Sequence, residues 1–319
     1  MSRTTVADLF TFGEALALFL AEDTDSVVSA RKFDLQVVGA EANVAVAVSR
    51  LGLSSIFQTR VGLDELGDVI IGELLKEKID VSRIRRVDNY TGAIVRNRGT
   101  SQPVNVTYLR TSSAASTMTP RDIEASDIEE CRWLHVTGIT AAISQSACAT
   151  VAEALNIGRA AETMKSFDLN IRRKLWSETR AREVLYDLVQ NIDVVFGGAD
   201  EYQVVWGSDD PKTNLQNAVN RGIKTAIMTA GPALIRVLSD GEYFEVSPPL
   251  VTAIDPVGSG DAFVGGTIAG LLAGLELERA VVQGSECGAS VATQIGDWIG
   301  LPYGIAGRRI DTSEREPTS

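Results

Sequence analysis

The chain has 319 residues, 45% hydrophobic and 23% charged, enough to bury a sizeable core and typical of a folded globular protein. Its formal net charge of −12 argues against nucleic acid or an anionic membrane as a partner, so an anionic ligand has to be drawn by local arginines. No apolar run spans a bilayer, no cleavable apolar leader precedes Phe10, and Cys131, Cys148 and Cys287 are odd in number and widely spaced; a soluble cytoplasmic protein with buried thiols is expected, without disulfides or zinc.

Residues 16–38 carry strand-like segments, among them Val27-Val28 and Gln36-Val37-Val38. Val44, Val48 and Leu51 then fall at helical spacing in 42–51, which stops at Gly52, and 65–79 repeats the amphipathic pattern. Residues 91–110 return to strand-like segments at 93–95 and 104–109. Together with 16–38 they predict a small β-sheet that covers a cleft. Beyond this, strands alternate with helices: 133–136 before a helix from Ser144, 164–169 before one from Ser177, 192–196 before one near Asp200, and 224–228 after another. Such alternation predicts an α/β fold with a mainly parallel sheet covered on both faces. Residues 234–238 and 243–246 read as a hairpin turning at Asp240-Gly241. A single domain over 1–310 is expected, with lid segments near 16–38 and 91–110 and a disordered tail at 311–319. His135, the sole histidine, sits in a strand pattern and leaves no means of building a Ser-His-Asp triad or a histidine-rich metal site.

The most telling segment is Ile254-Asp255-Pro256-Val257-Gly258-Ser259-Gly260-Asp261-Ala262-Phe263. Pro256 stiffens the approach, and Gly258 and Gly260 let the backbone bend, so the amides of Gly258, Ser259 and Gly260 converge on one point. The small and apolar residues from Ala262 to Leu272 predict a buried helix whose N-terminal dipole favours an anion there. A carboxylate repels phosphate, so Asp261 at this mouth calls for a chemical task, and proton abstraction from a hydroxyl is the natural one. A phosphate cradle with a base in it suits phosphoryl transfer. The segment lacks the Lys-Ser or Lys-Thr pair of a P-loop.

These features resemble the ribokinase-like, or PfkB, family of carbohydrate kinases over nearly the whole chain. Gly39-Ala40-Glu41-Ala42-Asn43-Val44-Ala45, then Leu51-Gly52 and Arg60-Val61-Gly62-Leu63-Asp64-Glu65-Leu66-Gly67, looks like the family's first signature, and 255–261 like its second. Within the family the strings at 39–43, Tyr108-Leu109-Arg110 with Ser113-Ala114, 134–140, Asp168-Leu169-Asn170-Ile171-Arg172 and Leu175-Trp176-Ser177 resemble 2-keto-3-deoxygluconate kinases. The resemblance implies a three-layer αβα sandwich with a β-sheet lid, ATP as co-substrate with magnesium, a monovalent cation such as potassium, and a homo-oligomer formed through the lid. It implies Asp261 as base with Gly258, Ser259 and Gly260 as the anion hole. Gly39, Asn43, Tyr108, Arg110, Ile139, Arg172 and Asp297, the last at the end of the final helix, would meet the acceptor. Asn170, Arg172, Thr229, Gly231, Gly258 and Gly260 would meet the nucleotide. Glu201 would serve magnesium and Asp255 the monovalent cation. Two arginines toward the acceptor favour a sugar acid, whose carboxylate a guanidinium matches with paired hydrogen bonds.

Four positions depart from the family pattern. Gly198 replaces the asparagine of an Asn-x-x-Glu element, Leu234 a second glycine of the nucleotide loop, Val38 a glycine before Gly39, and Ile94 a lid tyrosine. A kinase for a neutral sugar or a nucleoside, and a non-catalytic sugar- or nucleotide-binding regulator, therefore stand as alternatives.

Overall fold

The computed structural model describes residues 7–99, 103–304 and 306–307; the expected tail at 311–319 lies outside them. The chain forms two compact units, one from Met1–Phe10 and Thr119–Pro248, the other from Thr11–Met118 and Pro249–Ser319.

The first unit is the alternating α/β body. Strands Cys131–Thr137, Met164–Asp168, Val194–Gly198 and Thr225–Thr229 are neighbours in that order and pair in parallel. Apart from Met164 at a strand start, their large apolar residues are buried, as a sheet covered on two faces requires. Ile235–Ser239 and Glu242–Val246 add an antiparallel hairpin at one edge. Its turn has positive φ at both Asp240 (49°) and Gly241 (80°), the twist that matches two paired strands. Cys131–Thr137 and Val194–Gly198 run directly into helices, Met164–Asp168 reaches one at Glu178, and Thr225–Thr229 leads into the hairpin; side-chain caps mark where two of the longer helices begin. Ser144 accepts from the Ala147 amide before Gln145–Ala160, and Ser177 from the Arg180 amide before Glu178–Leu188. One short helix, Gly138–Ile143, falls in the stretch between the 133–136 strand and Ser144 where none was expected; Thr137 caps it by accepting from the Ile139 and Thr140 amides.

The second unit carries the small sheet, in the order Phe33–Val38, Leu16–Ala21, Ala93–Arg96, Val106–Leu109. One of its faces gathers Leu16, Leu18, Leu20, Val38 and Ile94, with Val106, Tyr108 and Ile295 against them. The expected strand at Val27-Val28 is instead a turn, and Val28 is almost fully exposed. There the Asp23 carboxylate accepts from the Arg31 and Lys32 amides and the Ser26 carbonyl from those of Ser29 and Ala30, which folds the loop on itself and leaves no ladder partner. The helix Glu65–Lys76 ends three residues before the expected Ile79. Lys78 enters the left-handed region at φ 59°, and the Ile79 amide returns to the Leu74 carbonyl while its side chain is buried.

Helix Ser259–Leu272 lies against both Leu277–Ala292 and Ala40–Arg50. Its glycines are contact points: a Cβ at Gly265 would come 2.5 Å from that of Ala47, and one at Gly266 would come 2.8 Å from Cys287 Sγ. Only hydrogen side chains allow such close backbones. The three thiols are unpaired with one another; Cys131 and Cys287 are buried, but Cys148 is only partly so, against expectation.

Candidate active site

The helix that opens the site begins at Ser259, three residues earlier than the apolar run alone suggests, so Gly258 is its N-cap and Asp261 lies in its first turn. Gly258 has φ 82°, and a Cβ there would lie 2.1 Å from the Asp297 carbonyl oxygen, so sterics and backbone conformation both demand glycine. The Ser259 amide and hydroxyl both turn back to the Pro256 carbonyl, at 3.2 and 2.7 Å. Ser259 thus closes the turn, leaving the amides of Gly258 and the exposed Gly260 as those best placed for an anion.

Asp261 is buried, and its Oδ2 accepts from Asn43 Nδ2 at 2.7 Å. Asn43 comes from the first turn of Ala40–Arg50, and the same amide nitrogen lies 3.5 Å from Asp297 Oδ2. Asp297 stands beyond the final helix, which stops at Ala292, rather than at its end: the Thr293 and Gln294 amides return to Ser290 and Val291, and the chain then bends through Gly296. Burial pushes the Asp297 carboxyl up to about 7; Arg96 pulls it down, Asp261 and Asp255 add to the rise, and the Asn43 hydrogen bond opposes it. Two buried acceptor atoms here, Asn43 Oδ1 and Asp297 Oδ1, lack a hydrogen-bond partner in the protein. Orphaned acceptors beside a carboxylate are places for the hydroxyl groups of a ligand.

Asp255 is fully buried and does different work from the cation contact that the resemblance implies. Its Oδ2 meets Arg96 Nη2 at 2.7 Å and the Gly296 amide at 3.3 Å, and its Oδ1 accepts from the Val257 amide at 3.2 Å. Both oxygens are thus engaged, and a monovalent cation fits poorly at a carboxylate already holding a guanidinium. Spacing gave no hint of Arg96, because its partner is 159 residues away. The one available signal was a basic residue closing an apolar strand.

At the lid, Arg110 is buried and pairs with Glu14, which also accepts from Ser113 Oγ. Burial raises the Glu14 carboxyl above its ordinary value, against the lowering by Arg110 and Ser113. Arg110 Nε is buried without a hydrogen-bond partner, and the guanidinium carbon lies 5.6 Å from the centre of the Tyr108 ring. Gly39 precedes the Asn43 helix as its N-cap. Ile94, where a tyrosine was expected, belongs to the lid's apolar cluster. Glu14 was missed, although a lone acid in the apolar run 9–20 was a legible signal.

The other named residues belong to the first unit. Asn170 is buried at φ 34° and donates to Asp168 Oδ2 at 3.1 Å, whereas Arg172 is exposed. Glu201 accepts from the Ile171 amide at 2.6 Å and the Gly198 amide at 2.8 Å. Its carboxyl is raised, chiefly by burial, with these two hydrogen bonds lowering it. Both of its oxygens are thereby engaged with backbone, and among the described residues no group of three or more His, Cys, Asp or Glu is placed to hold a metal ion. Thr229 ends its strand, donating weakly to the Gly197 carbonyl at 3.4 Å, and Gly231 follows in an exposed turn. Ile139 is half-buried in the first turn of Gly138–Ile143. His135 is fully buried, where desolvation pushes it down to about 3, and its Nδ1 contacts Ser166 Oγ at 2.8 Å; it is a structural residue.

The model of the pfkB family of carbohydrate kinases matches residues 6–302. A 2-dehydro-3-deoxygluconokinase of Bacillus subtilis is 33% identical over 306 residues, covering 92% of each chain. The crystal structure of a 2-dehydro-3-deoxygluconokinase from Thermotoga maritima superposes with a TM-score of 0.83 at 26% identity, covering 92% of this chain and 96% of that one. A fructokinase from Vibrio cholerae, solved with fructose, ADP and a calcium ion, gives a TM-score of 0.83 at 27% identity over 94% and 97% of the two chains. The fold is ribokinase-like.

Proposed function

Because the chain belongs to the PfkB family of carbohydrate kinases, we propose that it transfers the γ-phosphoryl group of ATP to the hydroxymethyl oxygen of a sugar acid, with 2-keto-3-deoxygluconate the first candidate. One observation carries the reading. The carboxylate of Asp261, held by Asn43, stands at a helix N-terminus beside two orphaned buried acceptors, while the lid offers an orphaned donor on Arg110. A polyol with a carboxylate matches that polarity: hydroxyls where acceptors wait, an anion where a guanidinium does.

On this reading Asn43 orients the carboxylate of Asp261, which takes the proton from the acceptor hydroxyl. As that proton leaves, the oxygen attacks the γ-phosphorus and the bond to the β-phosphate oxygen breaks, giving ADP and the 6-phosphate. The Gly258 and Gly260 amides stabilise the charge on the group in transit. Asn170, Arg172, Thr229 and Gly231 hold the nucleotide. Magnesium bound with the nucleotide would neutralise phosphate charge there. Glu201 shapes the 171 and 198 turns instead of binding the ion directly.

A second reading has one observation in its favour. Glu14 already neutralises Arg110, so the lid carries no net positive charge there, as suits a neutral ketose. An acceptor screen with ATP and magnesium tests both. The sugar acid should exceed fructose and ribose in kcat/KM by about tenfold or more, the discrimination expected of one buried charge pairing. Equal or reversed preference would sink the sugar acid.

A further inference from the structure

Arg96 is out of character for the end of a lid strand. It is 1% exposed and, among the described residues, the largest of the fully buried side chains. A guanidinium taken so completely from water is tolerated only where negative charge meets it. Its Nη2 lies 2.7 Å from Asp255 Oδ2 and 3.6 Å from Asp297 Oδ1, and its Nη1 donates to the Asn97 carbonyl at 3.3 Å. Asp255, Asp261 and Asp297 are all buried, with Asn43 joining the last two. Three carboxylates in such a setting need a positive partner, and Arg96 is the cation the structure pairs with two of them.

The same contacts govern backbone geometry. Asp255 ties its own turn through the Val257 amide and the bend before Asp297 through the Gly296 amide, while the Ile254 and Asp255 amides both return to the Ala292 carbonyl. Arg96 holds the carboxylate that makes these ties. A metal ion drawn to either Asp255 oxygen would have to sit beside the guanidinium or displace a backbone amide, and like charges at such range repel by several kcal/mol in a protein interior, about 4 at 4 Å. We propose that Arg96 is the resident cation of this site, a positioning residue whose guanidinium, in place of a monovalent metal ion, neutralises Asp255 and Asp297 and fixes the turn that presents Asp261. The proposal rests on the reading of Asp261 as the base.

The test begins with the unaltered enzyme at constant ionic strength, with potassium, sodium or tetramethylammonium as the sole added monovalent cation. Initial rates should agree within about twofold, the residual effect of screening. Activation by potassium of tenfold or more would overturn the proposal. Arg96→Met should lower kcat about 100-fold, the usual effect of losing a preorganised electrostatic partner, with acceptor KM changed much less. Millimolar guanidinium should restore part of the lost rate. An Arg96→Met enzyme of normal kcat, or one indifferent to guanidinium while Arg96→Lys is equally inactive, would also overturn it. Thermal melting without substrates gives a readout apart from turnover. The unaltered protein should show no shift specific to potassium over tetramethylammonium, and a specific stabilisation would count against Arg96 even if no sugar were phosphorylated. Absence of phosphoryl transfer to every acceptor would instead sink the kinase mechanism. If Arg96→Met fails to fold, the cation series and Arg96→Lys decide.

Discussion

Asp261 and Asp297 in one unit and Glu201 in the other show two ways of engaging a carboxylate. Around Asp261, acids meet side chains as well as the backbone amides that Asp255 takes: Asn43 bridges two of them, Arg96 pairs with two, and acceptor atoms are left over. At Glu201 the acid meets backbone, and both oxygens are taken by the Gly198 and Ile171 amides. A group saturated by its own backbone is shaping a loop, while one that leaves polar capacity unused is reserved for something from outside. On the proposed mechanism, the first region carries the chemistry and Glu201 in the second shapes the loops beside it.

The contrast breaks most directly at Asp261. Asp261→Asn keeps the shape and the Asn43 contact but removes the proton acceptor, so kcat should fall about 10³- to 10⁴-fold with nucleotide affinity nearly unchanged. Steady-state kinetics beside calorimetric titration with a nucleotide would check this, and a loss below tenfold would remove Asp261 as base. Glu201→Gln sharpens the other half. Its amide group can accept only one of the two backbone hydrogen bonds, so stability should drop by about 1 to 3 kcal/mol in denaturant melts. The magnesium concentration for half-maximal rate should stay within about twofold, since the protein then forms no direct bond to the ion. A large rise in that concentration would make Glu201 a metal contact and dissolve the distinction.

Asp297 offers a prediction in pH. Its folded-state pKa of about 7 stands above the ordinary 3.8, so the folded protein keeps a proton that the unfolded chain has released. The stability this confers is complete below the ordinary value and is lost as pH rises toward about 7. Asp297→Asn should therefore flatten the fall in melting temperature between about pH 5 and pH 8, making the variant more stable at the upper end by about 2 kcal/mol. Parallel curves would show that Asp297 titrates normally. The smallest effect is expected at Arg172. Exposed as it is, its replacement by Met should raise the KM for ATP less than about tenfold and leave stability within about 0.5 kcal/mol.

Much of this was legible in the sequence, for local reasons. Two glycines, an acid and an apolar helix are adjacent from 258 to 272, so the cradle could be read without knowing what surrounds it. The alternating body was equally plain, because each strand and its following helix lie within one stretch of chain. Arg96 and Glu14 stayed hidden because their roles come from partners 159 and about 96 to 99 residues away, and from burial that a single strand cannot announce. The Val27-Val28 turn was misread because β-branched residues favour strands only when a ladder is present to receive them, and here Asp23 and Ser26 fold the chain back first. Gly265 and Gly266, interspersed in an apolar helical run, also read as close packing on neighbouring backbone, whereas the helices they meet are set by residues distant in the chain.

That contact has a consequence for the order in which the unit comes apart. A Cβ at Gly284 would lie 2.1 Å from Thr267 Oγ1 and 2.5 Å from the Phe263 carbonyl, so the helix beginning at Ser259 is clasped by backbone on more than one side. Amide protons from Phe263 to Leu272 should be among the last to exchange with deuterated solvent, at the free energy of global opening, while those of the loop 23–32 exchange almost at once. Asp261, the base of the proposed reaction, is thus fastened to the part of its unit expected to open last.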